Sequence, residues 1–189
     1  NAAAVWGLQC GRSSRTLARY ELRPIGRMMK YTSLEAFLSQ SKPALAKGPL
    51  AILFAEDEIE LDTTLRHHLN AGFAEVVLLS PDIFDLPAEV EEKIHRIRYD
   101  VHAEQALLSA VNRLIEAAPG IWMYYCYNAE YLFFPFCETR NIREMISFQI
   151  EERREAFLSY VVDLYADDLS EAPNAVSLER ACLDKSGYY

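Results

Sequence analysis

The run from Leu50 to Phe54 constrains the fold of this chain more than any other segment. All five residues are apolar, Gly48-Pro49 precedes them, and an acidic stretch at 56–58 follows. The run is too short for a core helix, and an uninterrupted apolar run is typical of a strand buried on both faces. Such strands occur in parallel sheets covered by helices. The segment therefore predicts a central strand of an α/β domain.

Helix and strand patterns alternate on both sides of this run. The predicted elements are a helix over 33–40 behind the capping-box pattern Thr32-Ser33-Leu34-Glu35, a helix over 61–72, a strand over 75–79, a helix over 87–93, a half-buried or edge strand over 94–99, a helix over 103–118, a strand over 121–126, a helix over 141–154 and a strand over 157–164. Short connections between alternating elements favour right-handed βαβ units. We predict an α/β fold with a three-layer, mostly parallel sheet.

The chain divides into three regions by composition. Residues 1–48 form a basic arm with a short helix, 49–165 an α/β domain, and 166–189 an acidic, turn-rich tail that we expect to continue in a longer native chain. Residues 1–30 contain six basic residues and one acidic residue. This arm could be solvated, contact a membrane surface, or pack on the acidic remainder of the chain.

Charge and cysteine usage exclude several classes of function. The formal net charge of −9 over 189 residues would repel nucleic acid phosphates. No apolar run approaches the roughly 18 residues needed to span a bilayer, and no signal peptide is visible. We expect a cytoplasmic protein, with peripheral membrane contact and homo-oligomerisation left open. The cysteines form no metal-binding or disulfide pattern and are Cys10, Cys126, Cys137 and Cys182.

Acidic segments follow three of the predicted strands. They are Glu56-Asp57-Glu58, Ser80-Pro81-Asp82 and Tyr127-Asn128-Ala129-Glu130. In open parallel sheets ligands bind at the carboxyl ends of the strands, so we expect these three segments to line one rim.

The segment that leads into the last of these has a specific resemblance. Ala110-Val111-Asn112, Ala118, Gly120, an apolar strand and Glu130-Tyr131-Leu132 follow one another. This order resembles family 2 glycosyltransferases, in which Ala-Arg-Asn on a helix, Ala-x-Gly, a strand and an aspartate-rich corner ending in Glu-Phe-Leu occur in sequence. Glu58, His67-His68, Gly72-Phe73 and Asp82 are similar to earlier landmarks of that superfamily.

The resemblance spans about residues 49–136 and implies the GT-A fold of nucleotide-diphospho-sugar transferases. It also implies transfer of a sugar from a nucleoside diphosphate to an unknown acceptor. The nucleotide contacts implied are Glu56, Asp57, Glu58, Asp82, Tyr127, Asn128 and Glu130. The alternative is a degenerate, non-catalytic domain that uses the same rim for binding or assembly.

The metal-binding corner of that family is altered here. Tyr127 and Ala129 stand where two metal-binding aspartates belong, which leaves Glu130 as the metal ligand if there is one. One carboxylate and one amide, from Asn128, make a poor Mg²⁺ or Mn²⁺ site. Such a cofactor is therefore disfavoured, and we predict nucleotide binding that is largely independent of metal.

Several candidate residues have a structural interpretation as well as a functional one. Glu130 could instead cap its turn or pair with an arginine such as Arg140. His67 and His68 point about 100° apart on a helix, which favours packing over metal chelation. Arginines that could neutralise a diphosphate, or form local ion pairs, are Arg140, Arg143, Arg153 and Arg154. Asp163 is a weak candidate for the catalytic base, with Asp167 and Asp168 as neighbours.

Overall fold

The computed structural model describes residues 29–81, 84–159 and 161–183. These residues belong to two compact units, 29–157 and 158–183. The elements of the larger unit, in chain order, are β1 (Met29–Tyr31), α1 (Leu34–Gln40), α2 (Lys42–Leu45), β2 (Leu50–Phe54), α3 (Leu61–Asn70), β3 (Glu75–Ser80), α4 (Ala88–Glu91), β4 (His95–Arg98), α5 (Ala106–Ala117), β5 (Met123–Tyr127) and α6 (Ile142–Glu151).

The five strands of this unit form one sheet in the order β1-β4-β3-β2-β5, and every neighbouring pair is parallel. β2 lies between β3 and β5, and all five of its residues are buried. The uninterrupted apolar run is therefore explained by burial on both faces. The predicted α/β fold with a mostly parallel sheet is confirmed.

β4 is an internal strand, so the alternative of an edge strand at 94–99 is wrong. Its outer neighbour is β1, which pairs Met29 with His95 and Tyr31 with Ile97. β1 comes from the segment assigned above to the basic arm. β1 has no apolar run that would predict a strand. Its place in the sheet is supported by tertiary contacts such as the ion pair of Lys30 with Glu91 at 2.8 Å.

Helices cover both faces of the sheet. On one face Phe37 of α1, Leu45 of α2 and Leu114 of α5 pack with alternate strand residues in one buried cluster. On the other face His68 of α3 stacks on Tyr124 of β5, with ring centroids 5.4 Å apart. Burial of apolar side chains from both faces is the main stabilising contribution in such a fold.

α1 begins one residue later than its capping pattern predicts, and the expected capping box with Thr32 as the N-cap and Glu35 reaching back is not formed. Ser33 is the N-cap, and its hydroxyl oxygen accepts a hydrogen bond from Ala36 N at 3.2 Å. Glu35 forms an ion pair with Arg113 of α5, so its carboxylate connects two helices on the same face.

The smaller unit contains an antiparallel pair, β6 (Leu164–Ala166) and β7 (Ala181–Leu183). The predicted strand over 157–164 is wrong, because the strand that the structure has in this region, β6, begins only at Leu164. Residues 161–165 are all exposed, so the alternating pattern has no buried face that would hold a strand there.

Candidate functional site

The carboxyl ends of β2 and β5 flank the point at which the strand order reverses. From β2 the chain builds outward to β3 and β4, and β5 then pairs on the opposite side of β2. Ligands of open α/β sheets bind in the crevice at such a switch point. Here it is formed by two loops, which we call the first corner (55–60, after β2) and the second corner (128–131, after β5).

Asn128 joins the two corners. Its Nδ2 donates to Asp57 Oδ1 at 2.6 Å and to the carbonyl oxygen of Ile59 at 3.0 Å. Its Oδ1 accepts a hydrogen bond from Glu56 N at 3.0 Å. Two acceptors on one side and a donor on the other define the orientation of the amide. Every polar group of the side chain thus contacts the first corner.

The side chain of Glu130 caps the turn of the second corner. Its Oε2 accepts a hydrogen bond from Tyr127 N at 2.7 Å. Arg140 bonds to Glu144 instead, also at 2.7 Å. Of the two structural roles considered for Glu130, capping its own turn is therefore the one observed, and pairing with Arg140 is not.

Two threonines of α3 brace the second corner, and nothing in the sequence singled them out. The buried Thr64 Oγ1 accepts from Ala129 N at 3.0 Å and donates to the carbonyl oxygen of Glu60 at 2.6 Å. Thr63 Oγ1 lies 2.7 Å from Tyr131 Oη. Their only signal is a position in the first turn of the helix after the first corner, and their partners in the second corner lie more than 60 residues away.

Ala129 has a left-handed backbone conformation, with φ of 60°. Side chains with a Cβ adopt this region at a cost, and asparagine, aspartate and glycine tolerate it best. The hydrogen bonds of Asn128, Glu130 and Thr64 hold the turn around Ala129 in place. The second corner is therefore a tightly specified loop at the end of β5.

The crevice is rich in carboxylates. Glu56, Asp57 and Glu58 are exposed, and within the described residues the carboxylates of Glu56 and Glu58 have no hydrogen-bond partner. Partial burial raises the pKa of the Tyr127 hydroxyl, and the charges of Glu56 and Glu130 raise it further. Tyr127 therefore stays protonated at neutral pH and offers a hydrogen-bond donor among acceptors.

Other candidate residues lie elsewhere. Asp82 falls outside the described residues. Asp163 belongs to the smaller unit, where it is exposed. Arg143 Nε donates to the carbonyl oxygen of Gly72 at 3.0 Å, which places the start of α6 at the amino edge of the sheet, away from the crevice. Arg98 ends β4 and is the strand-terminal basic residue that the sheet brings to the carboxyl edge.

The two histidines have structural roles. His67 Nε2 lies 2.9 Å from the carbonyl oxygen of Leu132. His68 Nδ1 donates to the carbonyl oxygen of Thr64 at 2.8 Å, and burial lowers the pKa of His68 to about 4. His67 thus contacts the segment after the second corner, and His68 bonds within α3 and packs on Tyr124, as favoured above over chelation.

The metal implied by the resemblance does not fit the corner residues. Across the described part of the chain, no three His, Cys, Asp or Glu side chains are grouped to hold an ion. Glu130 is the expected ligand, but its Oε2 accepts a hydrogen bond from the backbone.

No helix among the described residues has the length and apolar character needed to cross a membrane.

A shallow cavity of about 590 Å³ lies at the amino edge of the sheet. Its lining is aliphatic except for one cation and consists of Leu38, Lys42, Leu45, Ala46, Ala117, Ala118, Pro119 and Ile121. These side chains hold no acid, base or nucleophile combination, so the cavity offers packing surface and no chemistry.

We find no matching protein-family model, and no significant match to a curated protein or to a solved structure. What is shown is an α/β fold with a parallel five-stranded sheet whose switch-point crevice is lined by acidic corners. The resemblance to family 2 glycosyltransferases rests on the residues quoted above.

Proposed function

We propose that this chain is a glycosyltransferase-type domain that binds a nucleoside diphosphate sugar in the crevice between its two corners and transfers the sugar to an acceptor. The observation that carries the proposal is the set of hydrogen bonds by which Asn128 of the second corner contacts the first corner across the switch point. It brings together, at the usual ligand position of an open α/β sheet, two segments that the resemblance assigns to the nucleotide site.

The groups at the crevice suit the uncharged parts of such a donor. Carboxylates accept hydrogen bonds from ribose and sugar hydroxyls, and Asp57 Oδ2, Glu56 and Glu58 are available for this. The Tyr127 hydroxyl can donate to a sugar or phosphate oxygen. A GT-A arrangement would place the base near the first corner and the diphosphate near the second.

The diphosphate is the part of the ligand that this crevice accommodates least well. Exposed carboxylates of the first corner repel it, and the described residues contain no group of three His, Cys, Asp or Glu side chains that could hold a neutralising cation. Arg98 at the end of β4 is two strands from β2, roughly 10 Å at the usual strand spacing. A guanidinium extended along the rim from there would supply part of the missing positive charge.

Calorimetric titration with UDP, GDP and their sugars, with and without Mn²⁺, tests the proposal. We expect binding of one nucleotide class in the micromolar to millimolar range. Tyr127→Phe keeps the ring beside Phe54 but removes the hydroxyl, and it should weaken binding. Tyr165→Phe in the smaller unit is the matched control. Absence of binding to every nucleotide would refute the proposal.

A second candidate is a non-catalytic domain that uses the same rim for binding or assembly. Two observations favour it specifically: the amide of Asn128 and an oxygen of Glu130 are both committed to backbone and side-chain contacts within the corners. Incubation with the donor that binds most tightly separates the two candidates. Sugar transfer or donor hydrolysis above the rate of Tyr127→Phe would exclude the second.

A further inference from the structure

We infer that Asn128 is a positioning residue whose amide takes the place of a divalent cation in holding the acidic corners of the crevice together. The inference rests on the proposed function only in treating the crevice as the nucleotide site. The connection between the two corners is itself observed in contacts within the chain.

Asn128 Nδ2 lies between two oxygens of the first corner and donates a hydrogen bond to each. Two oxygens lie close to this nitrogen, Asp57 Oδ1 at 2.6 Å and the carbonyl oxygen of Ile59 at 3.0 Å. Oxygen ligands of this kind are what Mg²⁺, Mn²⁺ and Ca²⁺ prefer in proteins. The partial positive charge of the amide hydrogens replaces the full charge of an ion.

The same contacts argue against a direct role of Asn128 in ligand binding. Both its nitrogen and its oxygen already contact the first corner, the oxygen through Glu56 N at 3.0 Å. Asp57 Oδ1 also accepts from Ile59 N at 2.9 Å, so Asn128 completes the coordination of that oxygen. Asp57 Oδ2 therefore remains available to a ligand, and the contacts of Asp57 Oδ1 fix its position.

This role predicts the effect of a near-isosteric change. In Asn128→Asp a carboxylate oxygen replaces Nδ2 beside Asp57 Oδ1, and two adjacent ionised carboxylates repel each other. Together with the Ile59 carbonyl oxygen, these carboxylates form a group of oxygens with no positive charge between them. A bound divalent cation, or a shared proton at lower pH, would reduce their repulsion.

The experiment measures the melting temperature without nucleotide, in EDTA and then with millimolar Mn²⁺ or Ca²⁺. The unmodified chain should not respond to the cations. Asn128→Asp should melt lower in EDTA at pH 7.5 and recover by about 2–4 °C on addition of cation, or on lowering the pH to 5.5. Asn128→Ala should melt lower and recover under neither condition.

The exchanged pair Asp57→Asn with Asn128→Asp is the matched control. It restores a donor and an acceptor between the two side chains but leaves the Ile59 carbonyl without its donor, so it should recover part of the lost stability without responding to cations. If Asn128→Asp and Asn128→Ala respond alike to cation and pH, Asn128 does not act as a cation substitute. Because no nucleotide is present, that outcome leaves the proposed function untouched.

A nucleotide titration of the same variants tests positioning. We expect Asn128→Ala to bind the nucleotide of the unmodified chain at least tenfold more weakly, whereas Tyr165→Phe in the smaller unit should bind it unchanged. Equal affinity in Asn128→Ala would overturn the positioning role while leaving nucleotide binding itself established.

Discussion

Thr64 and Ala129 are connected by a hydrogen bond between a helix side chain and a loop backbone, with Thr64 Oγ1 accepting from Ala129 N at 3.0 Å across 65 residues of sequence. Thr64 is fully buried. The bond ties the helix that follows the first corner to the turn that forms the second. It makes the shape of the crevice depend on the packing of α3.

Thr64→Val should destabilise the chain by about 1–3 kcal/mol, because it preserves shape but leaves the Ala129 N–H without its acceptor. Thr64→Ser, which keeps the hydroxyl, should cost less. Urea unfolding of both variants gives the difference. Equal midpoints for valine and serine would mean that the hydroxyl contributes nothing.

Ala129→Gly should raise the free energy of unfolding by up to about 1 kcal/mol, since glycine adopts a positive φ without strain. Ala71→Gly is the control, because Ala71 has a right-handed conformation with φ of −63° at the end of α3. There the same change should destabilise by about 0.5–1 kcal/mol. Thermal or urea unfolding measures both, and effects of the same sign would contradict the assignment.

His68 should make stability fall as the pH is lowered from 6.5 to 4. Burial depresses its pKa to about 4 in the folded chain, whereas the unfolded chain takes up the proton near 6.5. Stability is thus full above pH 6.5, declines below it, and levels off under pH 4, with a total loss on the order of 2–3 kcal/mol. Chemical unfolding across this pH range gives the profile.

His68→Asn is the variant that isolates this effect. The asparagine amide can still donate to the Thr64 carbonyl but does not titrate, so the decline between pH 6.5 and 4 should become shallower. An unchanged profile would assign the pH dependence to other groups.

Nucleotide affinity should change less than about twofold when EDTA is added. Tyr127 and Ala129 supply no carboxylate, and Glu130 is engaged by its own turn. A tenfold loss in EDTA, about 1.4 kcal/mol, would show that the corner binds a metal after all. The double variant Tyr127→Asp with Ala129→Asp should acquire a metal response, and position 129 suits aspartate because of its left-handed backbone.

Strands with a strong local signal were predictable, and strands that depend on distant partners were not. β2 and β3 carry continuous apolar runs because both faces are buried. β1, in contrast, has the sequence Met29-Lys30-Tyr31, and its extended conformation is held by pairing with β4 and by the contact of Tyr31 Oη with His95 Nδ1 at 3.1 Å. The residues next to β1 in the sequence therefore do not predict that it forms a strand.

The same distinction applies to the candidate site. The rule that loops after parallel strands share an edge was enough to bring Asp57 and Asn128 together from sequence. Their roles were not predictable, because hydrogen bonds such as Asn128 to Asp57 and Thr64 to Ala129 depend on atomic positions across 65 residues or more. The resemblance drew attention to Tyr127, Ala129 and Glu130, but it did not predict the hydrogen bonds that Asn128 makes to the first corner.

The place of β1 in the sheet also has a consequence for the order of events during synthesis. β1 is translated before β4, and the contacting residues Tyr31 and His95 are 64 positions apart. At about 5–20 residues per second, the ribosome needs roughly 3–13 seconds to make this stretch. Each nascent chain therefore carries β1 without its sheet partner for at least that time, and β1 can join the sheet only after β4 has been made.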